Sequence, residues 1–478
     1  MNYAMYVGYL ASIFSHWDGY TRPRQIIGAT RNPLIISLVN SLGKYQIRYE
    51  SEAYLQVIPN VQMIDMNDET AMLAMYEKSQ IIGLALPESA IRFQAEMIAR
   101  GLMARYEAGG SDLTILIVMN KVGAAKFVKK HIRTALKNFT TEKDVKQIIS
   151  HTNFIETVVN RMVLPVPEEF LLSKLKNDLY MLHHNVSGIF EHIDKLTSFF
   201  ANYPIKIESG RNKKKTKNMR DTTPASVSIS ENLSSLSFLS NAISQVTAAL
   251  FISEPDMPLY AASGSGIVEQ LRQVVIVQDI SSMQTIKNKL SNGTHAIIVW
   301  YSKLLQYKTI GQGMGDPRVS ELARNIMKHE IKPALLLENQ EYAMYINAFI
   351  SSFMVRCRNS FKDSCSRVGR DVMRKLQQDE RIIGAIKMAR QHGLPSDGLE
   401  FGAACAILSC VVETKSSNSE SAKVKNLYEM NHSVSDVLAY DGEYNNGRYN
   451  GLDRGADEEL IARIQVKFDA LKADLYAI

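Results

Sequence analysis

Between Arg24 and Asn120, short apolar runs alternate with stretches of helical period, and after Met283 the alternation stops. RQIIGAT has the length and content of a strand, NPLIISLVNSLG has helical spacing and ends at Gly43, and KYQIRYE reads as a strand again. QIIGLAL, from Gln80 to Leu86, is a further apolar strand stopped by Pro87. Glu88 to Tyr106 then has helical period, ahead of the continuous run LTILIVMN from Leu113 to Asn120. Strands this apolar, separated by helices, belong in a parallel sheet covered on both faces. The front of the chain, residues 1–282, therefore reads as a doubly wound α/β domain. From residue 283 to 478 the periodicity is almost wholly helical, with segments at Ala296–Leu305, Pro317–Leu337, Glu341–Cys357 and Val372–His392, and a last helix starting near Asp457. These residues read as a second, all-helical domain.

At 478 residues the chain is long enough for two or three domains. Its 55 basic and 49 acidic side chains leave a charge of +6, a mild excess that does not call for nucleic acid as a partner. The 46% hydrophobic content excludes a wholly disordered chain, and four cysteines are too few for a disulfide scaffold. Cys357, Cys365, Cys405 and Cys410 match no zinc spacing and read as reduced thiols, so no metal is expected and a cytoplasmic setting is. No run reaches the roughly 18 uncharged apolar residues of a membrane span. The opening MNYAMYVGYLASIF lacks a positive leader region and reads as a buried first strand rather than a signal peptide.

The most informative chemistry lies in KNKLSNGTH, Lys287 to His295. On a continuous α-helix Lys287, Asn292 and His295 fall within an arc of about 140°, so all three can face one pocket. Such a trio can oxidise an alcohol without metal. A lysine whose pKa is lowered by burial removes the hydroxyl proton, and an amide and an imidazole hold the developing oxygen charge. Spacing alone favours a solvated helical face.

The flanking sequence resembles the polyol-specific long-chain dehydrogenases, the mannitol dehydrogenase family. K-x4-N-x-x-H resembles that family's signature, TILIVMNKVGAAKFVKKHI its strand ending in Asn before a helix start, and NFIETVVNRMVLP its Val-Asp-Arg-Ile-Val-Pro stretch. The longest similarity is SFKDSCSRVGRDVMRKLQQDERIIGAIKMARQHGLPSDGLEFGAACAI. The similarity covers most of Asn32–Pro165 and Met283 to about Leu408. It implies a Rossmann-like nucleotide-binding domain followed by a helical substrate domain. It also implies reversible hydride transfer between NAD or NADP and a polyol or polyol phosphate, with mannitol 1-phosphate and fructose 6-phosphate as the pair. By the resemblance Lys287 is the general base, Asn292 and His295 orient the substrate oxygen, and Asn120 is an additional amide near it. Asn160, Arg161, Arg370, Arg374 and Lys375 become candidates for binding the substrate, since a guanidinium fork suits phosphate oxygens. Gly8, Ala11, Thr30, Arg31 and Ala85 become the cofactor set.

The chain departs from the family at three places. Tyr6 replaces the first glycine of the phosphate-binding loop, while Gly8 and Ala11 hold its other two positions. The acidic residue expected at the end of the second strand is replaced in Thr30-Arg31-Asn32, where Arg31 can accept a 2′-phosphate, so NADP(H) is at least as well served as NAD(H). Asn160 stands where the family has Asp before Arg161. The altered loop keeps a second reading open, a catalytically inactive member serving as a structural or regulatory scaffold.

Residues from about 170 to 256 have no counterpart in the family and read as an insertion with two helical parts, the second ending in SFLSNAISQVTAALF. The insertion includes the basic run Lys213, Lys214, Lys215, Lys217 and Arg220, a solvated loop or a docking element for a protein or anionic partner. His183-His184 lacks a ligand set, GQGMGDP reads as a turn between helices, and DGEYNNGRYNGLDRG as an exposed loop.

Overall fold

The structure, a computed structural model, describes residues 25–49, 55–159, 163–166, 171, 249–253, 258–359, 364–413, 419–444 and 447–475. The opening strand, Tyr6, Gly8, Ala11, Asn160, Arg161, His183-His184 and the basic run at 213–220 lie outside the described residues. The chain divides into two compact units, Met1–Ile280 and Ser281–Ile478. It is α/β in the first and helical in the second, the order that the hydrophobic periods imply.

In the first unit the strands are β1 (Ile26–Thr30), β2 (Lys44–Tyr49), β3 (Leu55–Pro59), β4 (Val61–Asp65), β5 (Ile81–Leu84), β6 (Leu113–Ile117) and β7 (Thr152–Val159). β8 (Val163–Pro165), β9 (Ala249–Ser253), β10 (Leu259–Ala262) and β11 (Val274–Val277) follow. The helices between them are α1 (Pro33–Leu42), α2 (Glu69–Lys78), α3 (Glu88–Glu107), α4 (Ala124–Leu136), α5 (Glu142–Ser150) and α6 (Gly266–Glu269). β1 and β4 pair in parallel, and β5, β6 and β7 are parallel neighbours in a sheet of order β11-β10-β7-β6-β5. Every residue of β6 is buried, as its unbroken apolar run requires of a strand covered on both faces.

Local chemistry sets the element ends. Asn32 accepts hydrogen bonds from the N–H groups of Leu34 and Ile35, Pro33 opens α1, and Gly43 closes it in the left-handed region at φ 63°. At the far end of α2 the guanidinium of Arg105, reaching over from α3, donates to the carbonyls of Tyr76 and Glu77 (both 2.8 Å) and Ser79 (2.7 Å). These are carbonyls that a helix end leaves without partners.

One expectation about the insertion is corrected. ALFIS is not the tail of a helix: it forms β9, which lies between β2 and β8 in a four-stranded sheet of order β3-β2-β9-β8. Leu250 and Phe251 are buried there, and Phe251 meets Tyr45 of β2 edge-on at 5.8 Å between ring centres. Pairing on both edges and burial override a helical spacing that has nothing of its own to pack against.

The second unit runs through α7 (Ile280–Ile286), a π-helical turn (Lys287–Gly293), α8 (Thr294–Leu304), α9 (Ile310–Gly315) and α10 (Pro317–Asn325). A second π turn (Ile326–Ile331) leads to α11 (Lys332–Glu338), α12 (Ala343–Asn359), α13 (Cys365–Val368), α14 (Val372–Lys375) and α15 (Ile383–Gln391). Last come α16 (Asp397–Val411), α17 (Ser419–Asn431), α18 (Ser435–Leu438) and α19 (Glu458–Leu475). Three sequence expectations change here. GQGMGDP is mostly helix, α9, because Thr309 and Gln312 form a reciprocal capping box at its start. Val372–His392 is two helices separated by residues 376–382. DGEYNNGRYNGLDRG is partly inside: Tyr449 and Leu452 are buried. The four cysteines are buried and unbridged. Among the described residues no helix is long and apolar enough to cross a membrane, and no cluster of metal-ligating side chains occurs.

Arg105→Met should destabilise the first unit by about 1–3 kcal/mol, the penalty of leaving one buried and two partly buried carbonyls without donors. Urea unfolding followed by circular dichroism reads this directly. An unchanged midpoint would mean that water serves those carbonyls instead.

Candidate active site

Ser291, Asn292 and Gly293 are three weak helix formers in succession inside a helical run. At that point the helix widens into the π turn Lys287–Gly293 before resuming as α8. The expected continuous α-helix is corrected accordingly. In a π turn the bonded partners are five residues apart rather than four, so each residue turns the chain through a smaller angle. Lys287 and Asn292, five apart, come nearly above one another, and His295 follows within the next turn. The three side chains therefore share a narrower face than an α-helix would give them, and all three are half-buried.

Neighbouring elements set the electrostatics of that face. Burial, then the positive charges of Arg356 and Arg381, push the Lys287 ammonium down to about 7. On α12, Arg356 lies three residues from Phe353, whose ring meets the His295 imidazole edge-on at 6.0 Å between centres. One face of α12 thus supplies both a charge near Lys287 and an aromatic wall for His295. Arg381 comes from the irregular segment between α14 and α15; it is buried, and its Nε lies 3.3 Å from the Glu380 carboxylate. The close approach of that segment depends on Gly293: a Cβ there would stand 2.8 Å from the Arg381 carbonyl oxygen. Sequence reasoning missed Arg356, Arg381 and Gly293. Only Gly293, in the Asn-Gly pair within a helix, left a local signal.

The expected basic triplet separates. Arg370 is exposed, with its Nε donating to the Arg367 carbonyl at 3.0 Å. Arg374 is half-buried and lies 3.5 Å from Asp371. Lys375 is buried and points inward: its Nζ donates to the carbonyls of Val368 (2.6 Å) and Arg370.

In the first unit the remaining described candidates stand at or just beyond the C-terminal ends of parallel strands, where open α/β sheets take their ligands. Asn120 follows β6 and Ala85 follows β5. Thr30 ends β1, but it is buried and its hydroxyl accepts the Asn32 N–H at 3.2 Å, while Arg31 beside it is exposed. Asp65, in register with Thr30 on β4, puts an exposed carboxylate at the same edge. The sequence held the sign of this in the acid closing VQMID.

The first unit is thus an open α/β sheet, and the second a helical unit whose π turn carries Lys287 and Asn292 and runs on into the helix with His295. Residues 279–469 match the family described as Mannitol dehydrogenase C-terminal domain. Mannitol-1-phosphate 5-dehydrogenase of Caldanaerobacter subterraneus subsp. tengcongensis is 27% identical over 140 residues, which cover 29% of this chain and 36% of that enzyme. The chain thus matches about a third of that relative's length. In fold it is similar to Pseudomonas fluorescens mannitol 2-dehydrogenase, solved with NAD and D-mannitol, at TM-score 0.63 and 13% identity over 99% of this chain and 90% of that one. A substrate-free D-sorbitol dehydrogenase gives TM-score 0.62 at 13% identity over 97% and 90% of the two chains.

Gly293→Ala should lower the stability of the helical unit by about 1–3 kcal/mol, as overpacking against backbone does. A thermal melt measures it. An unaltered melting temperature would mean that the 376–382 segment can retreat from α8 without loss.

Proposed function

We propose that the protein oxidises a polyol, or a polyol phosphate such as mannitol 1-phosphate, to the ketose by hydride transfer to a nicotinamide cofactor. The observation that carries this reading is Lys287: a half-buried lysine, pushed down to about 7 by burial and then by two guanidinium groups, on one face with an amide and an imidazole. A lysine in that state accepts a hydroxyl proton at ordinary pH. Asn292 and His295 then donate hydrogen bonds to the oxygen as its charge grows. Asn120 adds a further amide by the family resemblance. The first unit fits a dinucleotide through its parallel strand ends: Arg31 and Ala85 would hold it, with Gly8 and Ala11 as the loop residues. When bound, the cofactor supplies the hydride acceptor. The order of units and the family of residues 279–469 support a polyol as the substrate class.

Lys287→Met should lower kcat for fructose 6-phosphate reduction and mannitol 1-phosphate oxidation by about 10²–10⁴, the usual contribution of an acid–base group, with little change in nucleotide affinity. In the native protein the base form is the deprotonated lysine. Oxidation should therefore rise as pH passes upward through about 7, and reduction should fall over the same interval. Stopped-flow absorbance at 340 nm across pH 5.5 to 9 follows both, and turnover surviving in the Met variant removes Lys287 from its role. If neither nucleotide binds the native chain, the scaffold reading takes over.

Arg31→Ala tests cofactor choice by nucleotide fluorescence. NADPH binding should weaken about tenfold or more, as for loss of a charge-assisted contact, with NADH affected less. Equal losses would show that Arg31 does not meet a 2′-phosphate.

A further inference from the structure

Three consecutive carbonyls of the turn before α14 are each held by a buried side chain. Lys375 Nζ donates to Val368 O at 2.6 Å and to Arg370 O, and between them Trp300 Nε1 donates to Gly369 O at 3.1 Å. The lysine head also lies 5.6 Å from the centre of the Trp300 ring, so the two donors support one another through a cation–π contact. Both side chains are buried, Trp300 completely. Further along, Tyr449 of the C-terminal loop donates to Met373 O at 2.9 Å. Four peptide groups of a short segment, from the end of α13 into α14, thus have fixed orientations.

Geometry at the turn shows what the fixing achieves. Asp371 has φ +60°, a conformation that side-chain-bearing residues rarely adopt and that persists only where the surroundings impose it. It lies directly between Arg370, whose carbonyl Lys375 holds, and α14, which carries Arg374. Gly369 admits the turn against its neighbours: a Cβ there would stand 2.8 Å from Cys365 O and 3.2 Å from Val299 of α8. Trp300 is itself on α8, which carries His295 and continues from the π turn bearing Lys287 and Asn292. The clamp therefore ties the turn to the helix that carries the proposed chemistry. Positive charge extends from the turn toward that helix, since Arg374 acts electrostatically on Arg381 and Arg381 on Lys287.

We propose that Lys375 and Trp300 are positioning residues that set the Arg367–Arg374 turn against α8, so that Arg370 and Arg374 meet an anionic substituent, a phosphate ester, on the polyol or ketose. This rests on the dehydrogenase reading for the identity of the substrate, though not for the clamp. Lys375 does not touch substrate; it acts through the backbone on two arginines that do. The expected consequence is selectivity for phosphorylated over unphosphorylated sugar, beyond any general effect on stability.

Hydrogen–deuterium exchange of the full chain, with and without fructose 6-phosphate or fructose, decides this without needing turnover. In the native protein, fructose 6-phosphate should slow exchange in peptides covering 368–374, and fructose at the same concentration should not. Lys375→Met should speed exchange there by about tenfold and abolish the protection. Trp300→Phe, which keeps the ring and loses one donor, should do so in part and guards against a misfolded first variant. Kinetically, the Met variant should raise KM for fructose 6-phosphate about tenfold, leaving KM for fructose and both kcat values within about threefold. Unchanged exchange in both variants overturns the clamp. Faster exchange with undiminished selectivity for fructose 6-phosphate overturns its positioning role, as does absence of protection in the native chain. Protection without turnover upholds the clamp and the anion contact and sinks the dehydrogenase reading alone.

Discussion

Because α16 hides nearly all of its residues from Leu399 to Cys410, each helix that covers it is placed by what it must bury. Gly402 lets α8 come closest: a Cβ there would lie 2.5 Å from the Ile297 side chain. On the opposite account, Glu400 has no exposed surface and cannot stay charged without partners. Arg463 of α19 meets both of its carboxylate oxygens at 3.0 Å, and Ser396 donates to one of them at 2.8 Å. The N-terminal N–H groups of α16 at Gly398 and Leu399 are taken by Glu330, from the second π turn, at 2.7 and 2.9 Å. One buried helix thus locates α8 by shape, α19 by charge and the second π turn by capping. The position of Lys287 is a consequence of the first of these.

Lys287 and Lys375 show how little a shifted pKa says about role. Both are pushed down to about 7, in each case first by burial and then by neighbouring guanidinium groups. Their surroundings differ. Lys375 has its hydrogens directed at two backbone carbonyls and an indole ring, a set that orders a turn. Lys287 shares a half-buried face with Asn292 and His295, a set suited to an oxygen that changes charge. Low local polarity lowers both pKa values, and the atoms around each nitrogen decide its use.

The C-terminal loop extends the same economy of contacts. Asn450 exchanges hydrogen bonds with Gln378 and Asp379, and Lys387 joins Gln378 to Asp457 at 3.1 and 3.0 Å. These bonds hold the segment between α14 and α15, the one that brings Arg381 against Gly293. A stretch rich in Gly, Asn and Asp therefore orders residues more than sixty positions earlier. Its polar composition reflects the irregular backbone it must satisfy, with Tyr449 and Leu452 as its buried anchors.

The order of folds was legible in the sequence because hydrophobic period is a local property: β6 reads as buried on both faces, α1 is bracketed by Asn32-Pro33 and Gly43, and the helices after Met283 repeat at the helical interval. The Lys287, Asn292 and His295 set was legible as a motif, and its resemblance to the mannitol dehydrogenase family pointed to chemistry that spacing alone left open. The close approach of Arg381 to Gly293 was not, since the two are 88 residues apart in the numbering. Nor was β9, whose strand state comes from pairing with β2 and β8, or the inward turn of Lys375, whose partners Trp300 and Val368 lie on other elements. Sequence by itself determined the order of an α/β part followed by a helical part and which residue types are available for chemistry, because those follow from neighbours in the chain. Only the tertiary structure decided which cations surround Lys287, which lysine is spent on backbone and which glycines permit close approach, because burial and contact are set by residues that meet only after folding.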